Sequence, residues 1–223
     1  MPGVAEAVRL VRQLSGVINF YKIGLELFTR CGPGIISEVR AAAEGPCRIF
    51  LDLKLHDIPN TVRHAVRAAA ALKIDLLTVH LSGGGAMLRA AADEAGDNLL
   101  LLGVSVLTSS DEATLRETGV AGSVEGQVLR LAALGVESGL RGVVASPLEI
   151  GALRGRFGDD LTIVTPGVRP ASANAVPDDQ RRVLTPGEAV KAGADFLVIG
   201  RPITAQPDPG LAAQAIVEEI DAA

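Results

Sequence analysis

The sequence predicts an α/β fold, a (β/α)8 TIM barrel, on three observations. Strand-like runs alternate with helical patterns along the whole chain, polar residues recur at the strand ends, and 223 residues suit one domain of this kind. The first strand candidate, INFYKIG (18–24), is followed by the helical pattern PGIISEVRAAA (33–43). RIFLDLK (48–54) leads into TVRHAVRAAAAL (61–72), and LLTVHL (76–81) into GAMLRAAADEA (85–95). LLLGVSVL (100–107) precedes SVEGQVLRLAALGVESG (123–139), and GVVAS (142–146), TIVTPG (162–167) and FLVIGR (196–201) complete seven strands. The helical stretches carry 3.6-residue apolar periodicity, and strands alternating with helices imply βαβ units in a parallel sheet. No charged or Ser/Pro-rich linker interrupts the pattern, so residues 1–223 read as a single barrel domain.

Composition narrows the function classes. Hydrophobic residues make up 48% and charged residues 21%, with 25 Gly, 12 Pro and no Trp, which excludes a disordered or collagen-like chain. A net charge of −5 with scattered Lys and Arg offers no basic stripe for nucleic acid or an anionic membrane, so any anion must be captured locally. Cys31 and Cys47 lack metal-ligand spacing and read as reduced packing residues. The amphipathic N-terminus lacks a signal-peptide core, and no run approaches the roughly 18–20 apolar residues of a membrane span, so the chain reads as cytoplasmic.

Barrels of this class do their chemistry at the C-terminal ends of the strands. The densest signal there is DLKLHDIPNT, residues 52–61. Residues two apart on a strand share a face, so Asp52 and Lys54 point into the barrel mouth while Leu51, Leu53 and Leu55 face the helix layer. Asp57 falls just past the strand, where Ile58-Pro59-Asn60 turns the chain, and Thr61 is expected to cap the next helix. Opposite charges about 4 Å apart attract by roughly 4 kcal/mol at an effective dielectric near 20. An ammonium fixed among carboxylates is a proton donor suited to a carbanion, although a structural salt-bridge network at the rim fits an isolated D-x-K equally well. Lys22, on the adjacent strand candidate, can reach the same cluster. His56 and His80 have no nearby sequence partner that would make either a base and read as structural, and Glu26 reads as a cap or a pairing partner within the barrel.

At the other end of the chain, TPGVRP (165–170) and GADFLVIGRPIT (193–204) close the last two strands. Late barrel strands often build phosphate sites; Gly200 permits close backbone approach and Arg201 offers a guanidinium fork. The loop PASANAVPDDQRR between Arg169 and Val183 is long for an α/β connection and reads as an active-site lid.

With FYKIGLELF, IFLDLKLHDIPNTV, LTVHLSGG, GVSVLTS, VVASPLE, VTPGVRP, DDQRRVLTP and GADFLVIGRPIT in order, the chain resembles the bacterial-type orotidine 5′-phosphate decarboxylase family over nearly its whole length. The resemblance implies a homodimeric TIM barrel that converts orotidine 5′-phosphate to UMP and CO2, the last step of de novo pyrimidine nucleotide synthesis, with no metal or organic cofactor. It also implies Lys54 as proton donor to C6, Asp52 beside the departing carboxylate, and Lys22 in the charge array and against the ribose. Asp57 and Thr61 would act across the dimer interface, Thr108 would contact the pyrimidine, and Arg169, Gln180, Gly200 and Arg201 would hold the phosphate. Members of this family ordinarily begin with a strand ending in a ribose-binding Asp, whereas here a helical pattern begins at about residue 4, so the expected barrel lacks its first strand. Two alternatives stand beside the main reading: a catalytically impaired nucleotide-phosphate-binding barrel, and a Mg²⁺-dependent keto-sugar-phosphate decarboxylase of the same superfamily. The latter carries an acidic metal ligand where this chain has Lys22.

Overall fold

The structure is a computed structural model and describes residues 3–170 and 184–223. The chain opens with α1 (Val4–Leu14), then β1 (Phe20–Gly24), α2 (Leu25–Cys31), α3 (Gly34–Ala42) and β2 (Arg48–Leu55). It continues through α4 (Pro59–Ala70), β3 (Leu76–His80), α5 (Gly84–Ala95), β4 (Leu100–Val104), α6 (Glu112–Glu117) and α7 (Val124–Glu137). β5 (Gly142–Val144), α8 (Ile150–Phe157), β6 (Thr162–Pro166), α9 (Pro186–Lys191), β7 (Phe196–Val198), α10 (Arg201–Thr204) and α11 (Pro209–Asp221) complete it. Each of the seven expected strands forms, in the parallel order β1-β2-β3-β4-β5-β6-β7.

Period-2 alternation sorts the strand residues into two cores. Phe50, Leu76, Leu102 and Val164 fill the inside of the curled sheet, together with Phe20 and Phe196. Ile49, Leu51, Leu77, Val79 and Ile163 face the helices and are fully buried. Each such side chain contributes about 1.5–3 kcal/mol of transfer free energy. Leu53 and Leu55 pack against the outer layer as expected. Gly103 on β4 is required by that layer, because a Cβ there would stand 2.4 Å from Leu81 Cδ2.

Two aspartates repeat one device at the N-terminal end of the sheet. Asp75 accepts the Ile49 N–H at 2.7 Å and pairs with Arg48, while Asp195 accepts the Ile163 N–H at 2.6 Å and pairs with Arg154. Each lies just before its strand and satisfies a backbone donor of the neighbouring one.

Among the described residues β1 and β7 share no backbone ladder and form the two sheet edges. The sheet nonetheless curls until the edges meet through side chains. The Phe20 and Phe196 rings stand edge to face at 5.5 Å, and the Arg48 guanidinium lies 4.3 Å from the Phe20 centroid and 5.6 Å from that of Phe196.

Thr61 does not cap α4. The helix starts two residues earlier, with Ile58 at the N-cap and Pro59 in the first turn, because proline's fixed φ and missing N–H suit that position. Glu26 sits on exposed α2 facing Arg30 at 3.6 Å, not inside the barrel; GLELF turns helical directly after Gly24. No helix among the described residues is long and apolar enough to cross a membrane.

Candidate active site

A cavity of about 310 Å³ opens at the C-terminal ends of the strands, floored by Phe50 and walled by Val104, Val144 and Val198. Its polar lining comes from both ends of the chain. Lys22, Asp52 and Lys54 enter from β1 and β2, and Arg169, Gly200 and Arg201 follow β6 and β7. These four strands flank the seam between the sheet edges. Thr108, beyond β4, completes the lining that concerns the chemistry. Among the described residues four cations and one carboxylate thus converge on the cavity, inside a chain whose net charge is −5. A pocket that is mostly apolar with a few convergent charges is suited to a small anionic ligand.

Asp52 organises the array. Its Oδ1 receives the Lys54 ammonium at 2.7 Å and its Oδ2 receives Lys54 at 2.8 Å and Lys22 at 3.2 Å. The parallel register, with Lys22 opposite Phe50 and Gly24 opposite Asp52, brings Lys22 within reach. Burial alone pushes the Asp52 carboxyl up, but the Lys22 charge, the Lys54 hydrogen bonds and charge, and the Thr78 hydroxyl together hold it below the usual carboxylate range. Asp52 is therefore ionised at neutral pH despite being 9% exposed.

Thr78 escaped the sequence reasoning. Its hydroxyl donates to Asp52 Oδ1 at 2.9 Å and accepts the Lys54 backbone N–H at 2.9 Å. The signal was present, since Thr78 shares the inward face of β3 with His80. The two histidines, which lack sequence neighbours to pair with, find each other: the His56 and His80 rings lie 5.4 Å apart. Burial, then the charges of His56 and Lys54, lower His80 below the usual imidazole range against the pull of Asp52, so it is neutral at pH 7.

Other expected site residues lie elsewhere. Asp57 and Thr61 are exposed and do not line the cavity; Asp57 Oδ1 accepts the Ile58 N–H at 2.6 Å. Ser146 and Thr165, polar residues at strand ends, are fully buried away from it. Gln180 and nearly all of the expected lid fall outside the described residues, but the flanks of that segment are joined: Val168 bridges Leu184, and the Arg169 N–H donates to Leu184 O at 3.0 Å. A Cβ on Gly200 would meet nothing within 4 Å, so the space beside its backbone is open to a ligand. Among the described residues no group of three or more His, Cys, Asp or Glu side chains is placed to hold a metal ion.

Comparisons with known proteins bear on this arrangement. Residues 1–216 match the model of the orotidine 5′-phosphate decarboxylase / HUMPS family. An orotidine 5′-phosphate decarboxylase of Opitutus terrae is 51% identical over 222 residues, covering 98% of this chain and 94% of the relative. One from Thermobifida fusca is 49% identical over 219 residues, covering 98% and 92%. The crystal structure of the Lactobacillus acidophilus orotidine 5′-phosphate decarboxylase superposes with a TM-score of 0.83 at 37% identity, covering 99% of this chain and 96% of that one.

Proposed function

The chain belongs to the orotidine 5′-phosphate decarboxylase / HUMPS family, and we propose that it converts orotidine 5′-phosphate to UMP and CO2 as a single barrel domain in the cytoplasm. The observation that carries this reading is the Lys22–Asp52–Lys54 array on one side of a cavity whose other side presents Arg169 and Arg201. The phosphate is held by Arg169, Arg201 and the open backbone at Gly200, with Gln180 joining them and Thr108 meeting the pyrimidine.

Decarboxylation breaks the bond between C6 and the carboxylate, CO2 departs, and the electron pair remains on C6. No electron sink is needed if a cation stabilises that carbanion, and Lys54 is the cation in place. Its ammonium gives a proton to C6, forming the new C–H bond, and is recharged from solvent. Asp52, anchored by Thr78 and Lys22, faces the substrate carboxylate, a repulsion relieved as CO2 leaves. Lys54 acts only on charge that develops late, so its contribution falls on turnover. Asp57 and Thr61 serve the partner's site in a homodimer. Their exposure, and the 65% exposure of the apolar Ile58 between them, support a covered surface there.

The test is conversion of orotidine 5′-phosphate to UMP in EDTA, followed by loss of ultraviolet absorbance. Rapid loss supports the proposal. Binding without loss identifies an impaired nucleotide-binding barrel, and activity only on a keto-sugar phosphate with Mg²⁺ identifies the sister chemistry; either result overturns it.

A further inference from the structure

The Lys54 backbone and the Asp52 carboxylate share one hydroxyl as hydrogen-bond partner. Lys54 has a left-handed backbone, with φ of 52°, a conformation that a lysine holds only where its surroundings enforce it. The enforcement is visible in the ladder between β2 and β3. Leu51 pairs with Leu77 and Leu55 with Val79, so Asp52, Leu53 and Lys54 together lie opposite Thr78. Such a bulge takes the chain off the ladder and re-aims a side chain. The Lys54 N–H finds its acceptor in Thr78 Oγ1 at 2.9 Å.

A hydroxyl has one proton to give. Thr78 spends its own on Asp52 Oδ1 at 2.9 Å, so the relay runs from the Lys54 backbone through Thr78 to the carboxylate. The β-branched side chain restricts χ1, and Thr78 is wholly enclosed, at 0% exposure, with no part in the cavity lining. It therefore touches no substrate.

We propose that Thr78 is a positioning residue for the decarboxylation: its hydroxyl fixes the left-handed turn that aims Lys54 and the rotation of Asp52 on which both ammonium groups converge. This rests on the function proposed above. Serine preserves the relay, whereas valine preserves the volume and removes it.

The experiment compares Thr78→Val and Thr78→Ser with the wild-type enzyme, measuring kcat and KM on orotidine 5′-phosphate and hydrogen exchange at the Lys54 amide. Thr78→Val is expected to lower kcat by about 10–100-fold, the scale of a slightly misplaced reacting group, with KM changed little. It also speeds exchange of the Lys54 amide, and Thr78→Ser recovers most of both. Wild-type kcat in Thr78→Val, or equal impairment in the serine and valine variants while both remain folded by circular dichroism, overturns the proposal. If Thr78→Val does not fold, the serine variant decides: near-wild-type kcat and Lys54 exchange uphold it, and loss of either overturns it. A wild-type chain without turnover refutes the proposed function instead, and the Lys54 amide then decides the relay by itself.

Discussion

Replacing Asp52 by Asn keeps the shape of the side chain and removes the charge between two ammonium groups. Lys22 Nζ and Lys54 Nζ lie 3.2 and 2.8 Å from the same Asp52 oxygen, so they stand within about 6 Å of each other. Two like charges at that separation repel by roughly 3 kcal/mol at an effective dielectric near 20. Both lysine side chains are about a third exposed, and solvent screening reduces the expected loss of stability to about 1–2 kcal/mol at neutral pH. The loss depends on pH with a defined sign. The folded-state carboxyl of Asp52 titrates below its unfolded value, so its contribution is fully present above about pH 4 and fades as pH falls through the lower, folded value. Protonated Asp52 then resembles Asn. Urea unfolding followed by circular dichroism, from neutral pH down to the acid limit of the fold, measures the difference between the two proteins. The gap is expected to be full at neutral pH and to close in acid. A gap independent of pH, or a variant more stable than wild type at neutral pH, refutes the reasoning.

Gly103→Ala places a methyl group 2.4 Å from Leu81 Cδ2 in the buried layer and is expected to lower stability by about 1–3 kcal/mol, read by thermal or urea unfolding. Arg48→Ala removes the guanidinium from both seam rings and from Asp75, with an expected loss of about 1 kcal/mol and faster hydrogen exchange along β1 and β7. Arg201→Ala, and separately the use of orotidine in place of its phosphate ester, are expected to reduce turnover as well as affinity, because phosphate contacts remote from C6 supply binding energy for the reacting geometry. Orotidine turning over as fast as the ester would contradict the phosphate-clamp account.

Much of this architecture was legible because it follows from local alternation. The inward placement of Asp52 and the outward packing of Leu51, Leu53 and Leu55 follow from period-2 geometry, whereas Lys54 reaches the same cavity through a left-handed backbone that alternation does not encode. What stayed hidden depends on departures from that geometry. The bulge at Asp52–Lys54 is set by pairing with β3, and no pattern within one strand encodes it. Nothing next to Thr78 in the sequence marks it out, and its part shows only where the bulge turns the Lys54 N–H toward it. Thr suits an N-cap, yet Pro59 is the stronger signal and starts α4 before Thr61. The curl that brings Phe20 to Phe196 is likewise a property of the whole sheet.

The most direct measurement is kcat/KM for orotidine 5′-phosphate in EDTA, compared between the wild-type chain and Lys54→Ala. The account predicts efficient conversion to UMP by the wild type and a loss of at least about 10³-fold in the variant, since the group that stabilises the carbanion and protonates C6 is gone. A Lys54→Ala enzyme within about tenfold of wild type would contradict it, because such a loss corresponds to only about 1.4 kcal/mol of transition-state stabilisation.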